Sequence, residues 1–302
     1  MKSGFAAIIG RPNVGKSTLL NAIVGQKIAI TSNKPQTTRN RIRAIHTDDV
    51  GQIIFIDTPG MISKAKNKLG EYMIGSAKAA IRDADVILYL VEPSSYIGKE
   101  DEQIIGMLSK SKKPVILVIN KIDTIPYEQI LTIIDTFNNA GRFDEIFPIS
   151  ALRGNEVPKL LSSIMTYLSE GPMYYDPDSV TDSTEREIVS EMIREKSLHA
   201  LKEEIPHGLA VYVESMETEE SEKTGEPITN IKATIVCERN SHKAIIIGKG
   251  GSMLKKIGSN ARFEIERMLG NKVFLELFVK VRKDWRDDLK YVRDFGYDTR
   301  EL

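Results

Sequence analysis

Apolar and polar positions follow two different periods over the first half of the chain. Six mostly apolar runs predict strands, at residues 5–9, 42–47, 52–57, 85–92, 114–120 and 145–150. The segments between them space their apolar residues as amphipathic helices do, as at residues 17–24 and 157–168. Strands that alternate with helices predict a mostly parallel sheet covered by helices. Only the polar turn 48–51 separates the second and third runs, so this pair is predicted to be an antiparallel hairpin.

A proline-bearing stretch, residues 171–183, ends this pattern and predicts a linker. Thr184 and Glu187 follow with the spacing of a capping box, which predicts the start of a helix. The later elements are predicted as a helix at 184–204, strands at 210–216 and 231–238 joined by an acidic loop, two helices around a glycine turn at 242–269, and a strand at 273–281. We therefore predict a first domain at 1–170 and a second at 184–302, the second in the order α-β-β-α-α-β.

Charge and cysteine content narrow the functional classes. The 302 residues include 42 basic and 42 acidic ones, so a nucleic-acid site must be a local patch and not a property of the whole surface. Cys237 is the single cysteine, which excludes an internal disulfide and suits a reducing compartment. No run approaches the ~20 apolar residues of a membrane span, and the first apolar segment is too short for a signal peptide. We expect a cytoplasmic protein.

The segment GRPNVGKST, Gly10 to Thr18, lies between a predicted strand and a predicted helix. In that context G-x-x-x-x-G-K-[ST] predicts a phosphate-binding loop, because the glycines let successive N–H groups point at anionic oxygens and the helix N-terminus favours negative charge. Lys16 supplies a charge for the outer phosphates, and the Ser17 hydroxyl is a candidate ligand of Mg²⁺. The alternative is a glycine-rich turn without a ligand.

Two further segments can complete a magnesium and phosphate site. DTPG, Asp57 to Gly60, follows a predicted strand, where the carboxylate can reach Mg²⁺ and the glycine N–H can meet the γ-phosphate. The polar stretch 31–43 is where a nucleotide-sensing switch has to lie, and Thr38 is the candidate for a second hydroxyl ligand. The same stretch carries three arginines that belong either to a solvated face or to an RNA contact, namely Arg39, Arg41 and Arg43.

NKID, Asn120 to Asp123, ends another predicted strand and favours guanine over adenine. The Asp123 carboxylate can accept two hydrogen bonds from the amino and imino edge of guanine, which adenine lacks, and a site built around that pair strongly rejects the analogue without it. SAL, Ser150 to Leu152, follows the next strand and can offer backbone N–H groups to the base carbonyl. Without the other motifs, SAL would be an ordinary start of a helix.

The turn Gly248 to Gly251, between two predicted helices, is the candidate RNA site. Such G-x-x-G turns in KH domains clamp the backbone of about four nucleotides, because glycines allow close approach to phosphates. Residues 239–256 contain five basic residues and no acidic one. The alternative is a structural helix-turn-helix with a solvated basic face. The predicted RNA contacts are Arg239, His242, Lys243, Ile247, Gly248, Lys249, Gly250, Gly251, Lys255 and Lys256. In the tail, Trp285 is the aromatic residue left as a candidate for stacking on a base.

The order of five motifs resembles that of the P-loop GTPases of the TrmE-Era-EngA type: GRPNVGKST, PQTTR, DTPG, NKID and SAL. With the second domain included, the whole chain looks like the Era family. The resemblance implies an α/β P-loop GTPase domain, with one antiparallel strand in a mostly parallel sheet, followed by an α+β type II KH domain. It also implies GTP or GDP and Mg²⁺ as ligands. The GTP-binding residues on the matching motifs are Gly10, Asn13, Val14, Gly15, Lys16, Ser17, Thr18, Asp57, Gly60, Asn120, Lys121, Asp123, Ser150, Ala151 and Leu152. The expected Mg²⁺ ligands are Ser17, Thr38 and Asp57, and switch I is expected at Gln36, Thr37, Thr38, Arg39 and Asn40.

One position departs from the Ras pattern and affects the expected rate. Met61 stands where a Ras-type enzyme has the glutamine that orients the attacking water, so we expect slow intrinsic hydrolysis. Asn13 matches an asparagine that helps hold a potassium ion (K⁺) against the phosphates in related GTPases, and the resemblance implies that role here. Alternatively, Asn13 only hydrogen-bonds the loop.

The resemblance also names the expected partner. It implies binding of single-stranded RNA near the 3′ end of the small-subunit 16S rRNA and a role in assembly of the 30S ribosomal subunit. A monomer is expected, and a weak peripheral association with the inner face of the plasma membrane stays open. The alternatives are a membrane-surface adapter, whose basic patch meets anionic lipid, and a GTPase linked to RNA modification.

Overall fold

The computed structural model describes residues 1–32, 34, 37–60, 65, 67–202, 205–221 and 225–297, and in these ranges the strands form two sheets. The strands are β1 (Lys2–Ile9), β2 (Ile42–Thr47), β3 (Gly51–Asp57), β4 (Val86–Val91), β5 (Val115–Ile119), β6 (Glu145–Pro148), β7 (Ala210–Glu220), β8 (Pro227–Cys237) and β9 (Lys272–Val281). The helices are α1 (Lys16–Val24), α2 (Lys68–Asp83), α3 (Lys99–Leu108), α4 (Gln129–Ala140), α5 (Val157–Tyr167), α6 (Glu185–Ala200), α7 (Asn240–Ile247), α8 (Ser252–Leu269) and α9 (Leu289–Asp294). None of the helices in the described ranges has both the length and the apolar character needed to cross a bilayer.

The larger sheet has the strand order β2-β3-β1-β4-β5-β6. Every neighbouring pair is parallel except β2 with β3, which confirms the predicted hairpin within a mostly parallel sheet. The carboxylate of Asp48 closes the hairpin, accepting hydrogen bonds from the N–H groups of Val50 and Gly51 at 2.9 and 3.0 Å. Because parallel strands end at the same edge, the segments after β1, β3, β5 and β6 come together there.

β4 shows why the predicted strands are continuous apolar runs. All six of its residues, VILYLV, are buried. Leu88 and Leu90 join the core on one face of the sheet, under α1 and α5, whereas Ile87, Tyr89 and Val91 join the core on the other face, under α3 and α4. A parallel strand that is covered on both faces needs apolar side chains at every position.

The smaller sheet, β7-β8-β9, packs against α6, α7 and α8. β7 is antiparallel to β8, and β8 is parallel to β9, so the predicted order α-β-β-α-α-β is confirmed. The capping box is present at the start of α6: Thr184 Oγ1 accepts from the Glu187 N–H, and the Glu187 carboxylate accepts from the Thr184 N–H at 2.7 Å. This box fixes where the chain enters the second unit.

β7 and β8 extend further than predicted, into the acidic stretch that the sequence had suggested was a loop. Glu217 and Glu219 are exposed, while Thr229 on the paired strand is buried. The hydroxyls of Thr218 and Thr229 lie 2.8 Å apart across the pair. Charged residues can continue an antiparallel strand where their side chains remain in solvent, which is why the acidic composition was misleading.

The predicted linker, residues 171–183, lies along the larger sheet. The Gln52 side chain binds both the N–H and the carbonyl of Tyr175, each at 3.0 Å. The N–H of Ile45 in β2 donates to the Val180 carbonyl at 2.9 Å. The segment therefore covers the outer edge of β2, which would otherwise offer unpaired backbone groups to another chain.

The tail packs where the two units meet. Trp285 is fully buried, and its indole N–H donates to the carbonyl of Gly208 at 2.9 Å. Tyr297 lies against Trp285, with ring centroids 6.1 Å apart, and against Tyr72 of α2, at 5.9 Å. The interpretation of Trp285 as a stacking residue for RNA is therefore wrong, because an enclosed indole presents no face to a base.

Candidate nucleotide and RNA sites

The phosphate loop adopts a backbone that two of its glycines make accessible. Gly10 and Gly15 have φ angles of 153° and 99°. A Cβ atom on Gly10 would lie 2.3 Å from the Leu90 carbonyl oxygen, and one on Gly15 would lie 2.2 Å from the Asn120 side-chain nitrogen. The loop therefore touches the ends of β4 and β5 more closely than any side chain would allow.

Lys16, the first residue of α1, holds its ammonium group inside this loop. The side chain is buried and donates hydrogen bonds to the carbonyls of Gly10 and Arg11 at 3.2 and 2.9 Å. Burial lowers the pKa of Lys16 to about 8, against the opposing influence of the Asp57 charge. A buried cation at a helix N-terminus is an arrangement that binds anions.

Three predicted Mg²⁺ ligands lie together beside Lys16. The hydroxyls of Ser17 and Thr38 are 3.0 Å apart, and they lie 3.2 and 3.4 Å from Asp57 Oδ2. Asp57 is fully buried, and its Oδ1 atom has no hydrogen-bond partner among the described residues. Burial raises the pKa of Asp57 to about 6, although the Lys16 charge and the two hydroxyls act in the opposite direction. Hard oxygen ligands around an unsatisfied carboxylate fit Mg²⁺.

The predicted guanine-recognition residues also come together. Asn120 connects two segments: its Nδ2 donates to the Val14 carbonyl, and its Oδ1 accepts from the Ala151 N–H, both at 2.9 Å. The exposed Asp123 carboxylate accepts a hydrogen bond from Ser150 Oγ at 2.6 Å. The fold thus places NKID and SAL on one side of the phosphate loop.

Lys121 and the switch residues complete the lining of one cleft. Lys121 donates to the Asn13 carbonyl at 2.7 Å and pairs with Glu92. The cleft has a volume of about 620 Å³ and is also lined by Thr37, Thr38 and Gly60. Among the predicted residues around it, Thr18 is half-buried, Leu152 is exposed, and Asn40 accepts a hydrogen bond from Tyr72. Gln36 and Met61 lie outside the described residues.

The three switch arginines bind groups of this chain. Arg39 is buried and donates from Nη1 to the carbonyl of Leu209 at 2.5 Å, so neither a solvated face nor an RNA contact describes it. Arg41 pairs with Asp83 at 3.1 Å, and Arg43 pairs with Asp182 at 2.7 Å. The prediction for Arg39 was therefore wrong. The sequence contains no local sign of this contact, because the Leu209 carbonyl lies 170 residues further along the chain.

Helix α6 of the second unit also forms hydrogen bonds with the switch segment. Arg194, which is also buried, donates from Nη2 to the Thr37 carbonyl. Glu195 accepts the Thr31 N–H at 2.8 Å and pairs with Lys27 at 2.6 Å. Sequence reasoning did not find these residues, because nothing in α6 distinguishes them from surface charges of an amphipathic helix.

The candidate RNA turn is open to solvent. Gly248, Gly250 and Gly251 have φ angles of 74°, 59° and 80°, between the end of α7 and the start of α8. Lys249 and Gly250 are exposed, and a Cβ on Gly250 would meet no atom within 4 Å. A backbone phosphate could therefore approach the turn closely.

A groove of about 780 Å³ continues from this turn between α8 and β9. Of the predicted contacts, Gly251 and Lys255 line it. Arg239 directly precedes α7, His242 and Lys243 lie on α7, and Lys256 is exposed outside the lining. The remaining lining residues were not predicted: Leu254, Gly258, Ser259, Arg262, Leu275 and Leu277. Gly258 was the available signal, because a glycine inside an amphipathic helix indicates close approach, and a Cβ there would lie 3.3 Å from Leu277.

Comparisons with known proteins cover both units. The model of a family described as 50S ribosome-binding GTPase matches residues 5–121, and the KH domain model matches residues 204–286. A solved structure of an Aquifex aeolicus Era variant bound to GDP·AlF4⁻ is 42% identical, with a TM-score of 0.92, and the match covers 98% of this chain and 99% of that one. A structure of Era in complex with MgGDPNP and nucleotides 1506–1542 of 16S ribosomal RNA gives the same identity, coverage and TM-score.

Proposed function

Because the chain belongs to the Era family of GTPases, we propose that it is a GTP-hydrolysing switch that binds single-stranded RNA near the 3′ end of 16S rRNA and acts in 30S subunit assembly. The observation that carries the nucleotide part is the meeting of the Ser17, Thr38 and Asp57 oxygens beside the buried Lys16 ammonium group. These four groups come from three separate segments, and the Asp57 Oδ1 atom beside them has no hydrogen-bond partner among the described residues, an arrangement that suits a bound cation and anion.

In this proposal, each group at the phosphate end has one task. Lys16, whose ammonium group is oriented by the carbonyls of Gly10 and Arg11, binds phosphate oxygens of the nucleotide. Ser17, Thr38 and Asp57 would hold Mg²⁺, which would supply positive charge against the phosphates of the nucleotide. Gly60 lies against Pro12, where a Cβ would approach within 2.9 Å, so its N–H group can lie close to the γ-phosphate. The protein thus contributes mainly positioning and electrostatic stabilisation.

At the base end, Asp123 is proposed to select guanine. The Ser150 hydroxyl donates to one carboxylate oxygen and so fixes its orientation. The carboxylate can then accept from both the amino and the imino group of the base, which adenine cannot offer together. Asn120 stabilises the base-binding end of the site, because its side chain forms hydrogen bonds with both the SAL turn and the phosphate loop.

Hydrolysis is proposed to be slow and to need added positive charge. Met61 cannot orient water by hydrogen bonding, so the chain lacks a Ras-like glutamine at this position. Asn13 lies in the phosphate loop with a φ angle of 68°, a conformation that asparagine tolerates better than most residues. We assign it to holding K⁺ against the phosphates, where the ion would stabilise charge that develops in the transition state.

The second unit is proposed to bind the RNA. The open turn at Lys249 and Gly250 meets phosphates, and the groove beyond it combines an apolar floor, Leu275 and Leu277, with basic Arg262 at its rim. Apolar surface suits unstacked bases, and positive charge suits their backbone. We propose that the protein works as a cytoplasmic monomer on the small subunit, and that any contact with the inner face of the plasma membrane is weak and peripheral.

Competition binding tests this proposal. The full-length protein with bound fluorescent GDP is titrated separately with GTP and with ATP. The protein with a bound, labelled, unpaired oligonucleotide from the 3′ end of 16S rRNA is titrated separately with unlabelled RNA and with anionic phosphatidylglycerol vesicles. We expect GTP and RNA to compete effectively and ATP and vesicles not to. Displacement of the oligonucleotide by vesicles alone would favour the membrane adapter, and equal displacement of GDP by ATP and GTP would contradict the assignment of Asp123.

A further inference from the structure

Asp101, which belongs to none of the recognised motifs, is buried beneath the phosphate loop. It lies in the first turn of α3, and its carboxylate is 2.9 and 3.0 Å from Nε of Arg11, the second residue of the loop. The hydroxyl of Tyr89, on the buried strand β4, donates to the same carboxylate at 2.7 Å. The phosphate loop is thus tethered to the sheet and to α3 through one carboxylate.

The partners of Asp101 hold it firmly. Burial, with the hydrogen bond to Asp101 next in effect, raises the pKa of Tyr89, so its hydroxyl keeps its proton and remains a donor. The Asp101 side chain is 3% exposed, whereas that of Arg11 is 30% exposed. A buried carboxylate without partners is costly, so the energetically favoured place for the Arg11 guanidinium is against Asp101.

Arg11 connects this tether to the nucleotide side of the loop. Its side chain points to Asp101, while its backbone carbonyl accepts the hydrogen bond from the Lys16 ammonium group. Gly10 and Asn13, which flank the Arg11–Pro12 pair, have positive φ angles, and a non-glycine residue such as Asn13 keeps such an angle only where its surroundings hold it. Fixing Arg11 therefore fixes the carbonyl that orients Lys16.

We propose that Asp101 is a positioning residue for nucleotide binding: through Arg11 it holds the phosphate loop in its phosphate-accepting shape before the nucleotide arrives. The inference rests on the proposed function, since it requires that the loop binds a nucleoside phosphate. A loop that is ordered in advance loses less conformational entropy on binding. The tether touches no phosphate, so it strengthens binding of GDP and GTP equally and leaves the chemical step unchanged.

A mutant cycle on the full-length protein tests the tether. Asp101→Asn, Arg11→Ala and the double variant are compared by their Kd for fluorescent GDP and GTP analogues, and by kcat and KM for hydrolysis. We expect each single variant to weaken both nucleotides by about tenfold, the scale of one charge-assisted hydrogen bond. KM should rise while kcat stays the same, the signature of lost uniform binding. The double variant should be no weaker than the weaker single variant, because the two residues act as one unit.

Two further variants keep the test decisive. Glu102→Gln removes the same charge from the exposed neighbouring position of α3 and should bind like wild type. Tyr89→Phe removes only the hydroxyl donor and should weaken both nucleotides by about threefold, since one hydrogen bond to the carboxylate is lost. If Asp101→Asn shows no thermal unfolding transition and is therefore not folded, the Tyr89→Phe and Arg11→Ala variants are used to test the inference.

The possible results distinguish a failure of the proposed function from a failure of the role assigned to Asp101. Wild-type protein that binds no guanine nucleotide would overturn the proposed function and this inference with it. If the wild-type protein binds guanine nucleotides and the Arg11→Ala and Tyr89→Phe variants bind them with the same affinity, the role of Asp101 is overturned and the proposed function is not. Losses that multiply in the double variant would show that Asp101 does not act through Arg11.

Discussion

The guanidinium of Arg39, in the switch segment, donates a hydrogen bond to the main-chain carbonyl of Leu209 in the second unit, 2.5 Å away. Arg39 is 1% exposed and lies 5.9 Å from the centre of the Trp285 ring. On the other side of Thr38, Arg194 of α6 donates to the Thr37 carbonyl. Both neighbours of the proposed Mg²⁺ ligand are therefore held by the unit that carries the RNA groove.

We expect Arg39→Ala to weaken GTP binding by about tenfold, which corresponds to ~1.4 kcal/mol of binding free energy, and to change GDP binding little. The reason is that the proposed ligand Thr38 would be needed on Mg²⁺ only when the γ-phosphate is present, and the variant removes the hydrogen bond from the neighbouring residue to Leu209. Kd values for GDP and a non-hydrolysable GTP analogue give the measurement. Arg43→Ala is the control, because Arg43 pairs with Asp182 of the linker. Equal losses for both nucleotides would show that the contact supports general stability and not the GTP state.

Asp123→Asn should exchange the base preference from guanine to xanthine. The amide donates where the carboxylate accepted, so it repels the guanine edge and suits the xanthine carbonyl. Kd values for GTP and xanthosine triphosphate measure the exchange. Asp135→Asn, which makes the same change at an exposed position of α4, should have no effect. A variant with normal GTP affinity and no gain for the xanthine nucleotide would contradict the assigned role.

Hydrolysis should be faster in potassium than in sodium buffer, and Asn13→Gly should remove the difference. Glycine keeps the positive φ angle of this position without strain, so the backbone is preserved while the side chain and its amide oxygen are lost. Single-turnover rates at equal ionic strength, with and without small ribosomal subunits, measure the effect. Rapid hydrolysis by the isolated protein, indifferent to the cation, would rule out the dependence on added charge.

Motif order predicted much of the nucleotide site because its parts are local. GRPNVGKST, DTPG, NKID and SAL each follow a strand of the parallel sheet, and the carboxyl ends of these strands must meet at one edge, so the convergence of Ser17, Asp57 and Asn120 follows from topology. Lys16 and the glycines of the loop were predictable for the same reason. Their chemistry is specified by adjacent residues and needs no knowledge of distant contacts.

The contacts between the units could not be predicted in this way. Arg194 reaches Thr37 across 157 positions, and Arg39 reaches Leu209 across 170, so neither pair leaves a pattern in its own neighbourhood. Asp101 looked like an ordinary acidic residue of a helix N-terminus, a position where carboxylates are common. Trp285 was equally ambiguous, since an aromatic in a charged tail suits both a buried contact and a nucleic-acid surface.

The proposal that the second unit binds RNA through its glycine turn is tested with the Lys249→Asp, Gly250→Asp variant. Its binding of the 3′-end oligonucleotide of 16S rRNA is measured beside GTP binding on the same preparation. Two carboxylates at the exposed turn would face the phosphates that must approach it, while the nucleotide cleft lies in a separate unit. Lys112→Asp, at an exposed position of the first unit, is the control for altered charge. We expect the double variant to keep a cooperative thermal unfolding transition, to bind GTP with wild-type affinity and no longer to bind the RNA. Normal RNA binding by this folded variant would contradict the account.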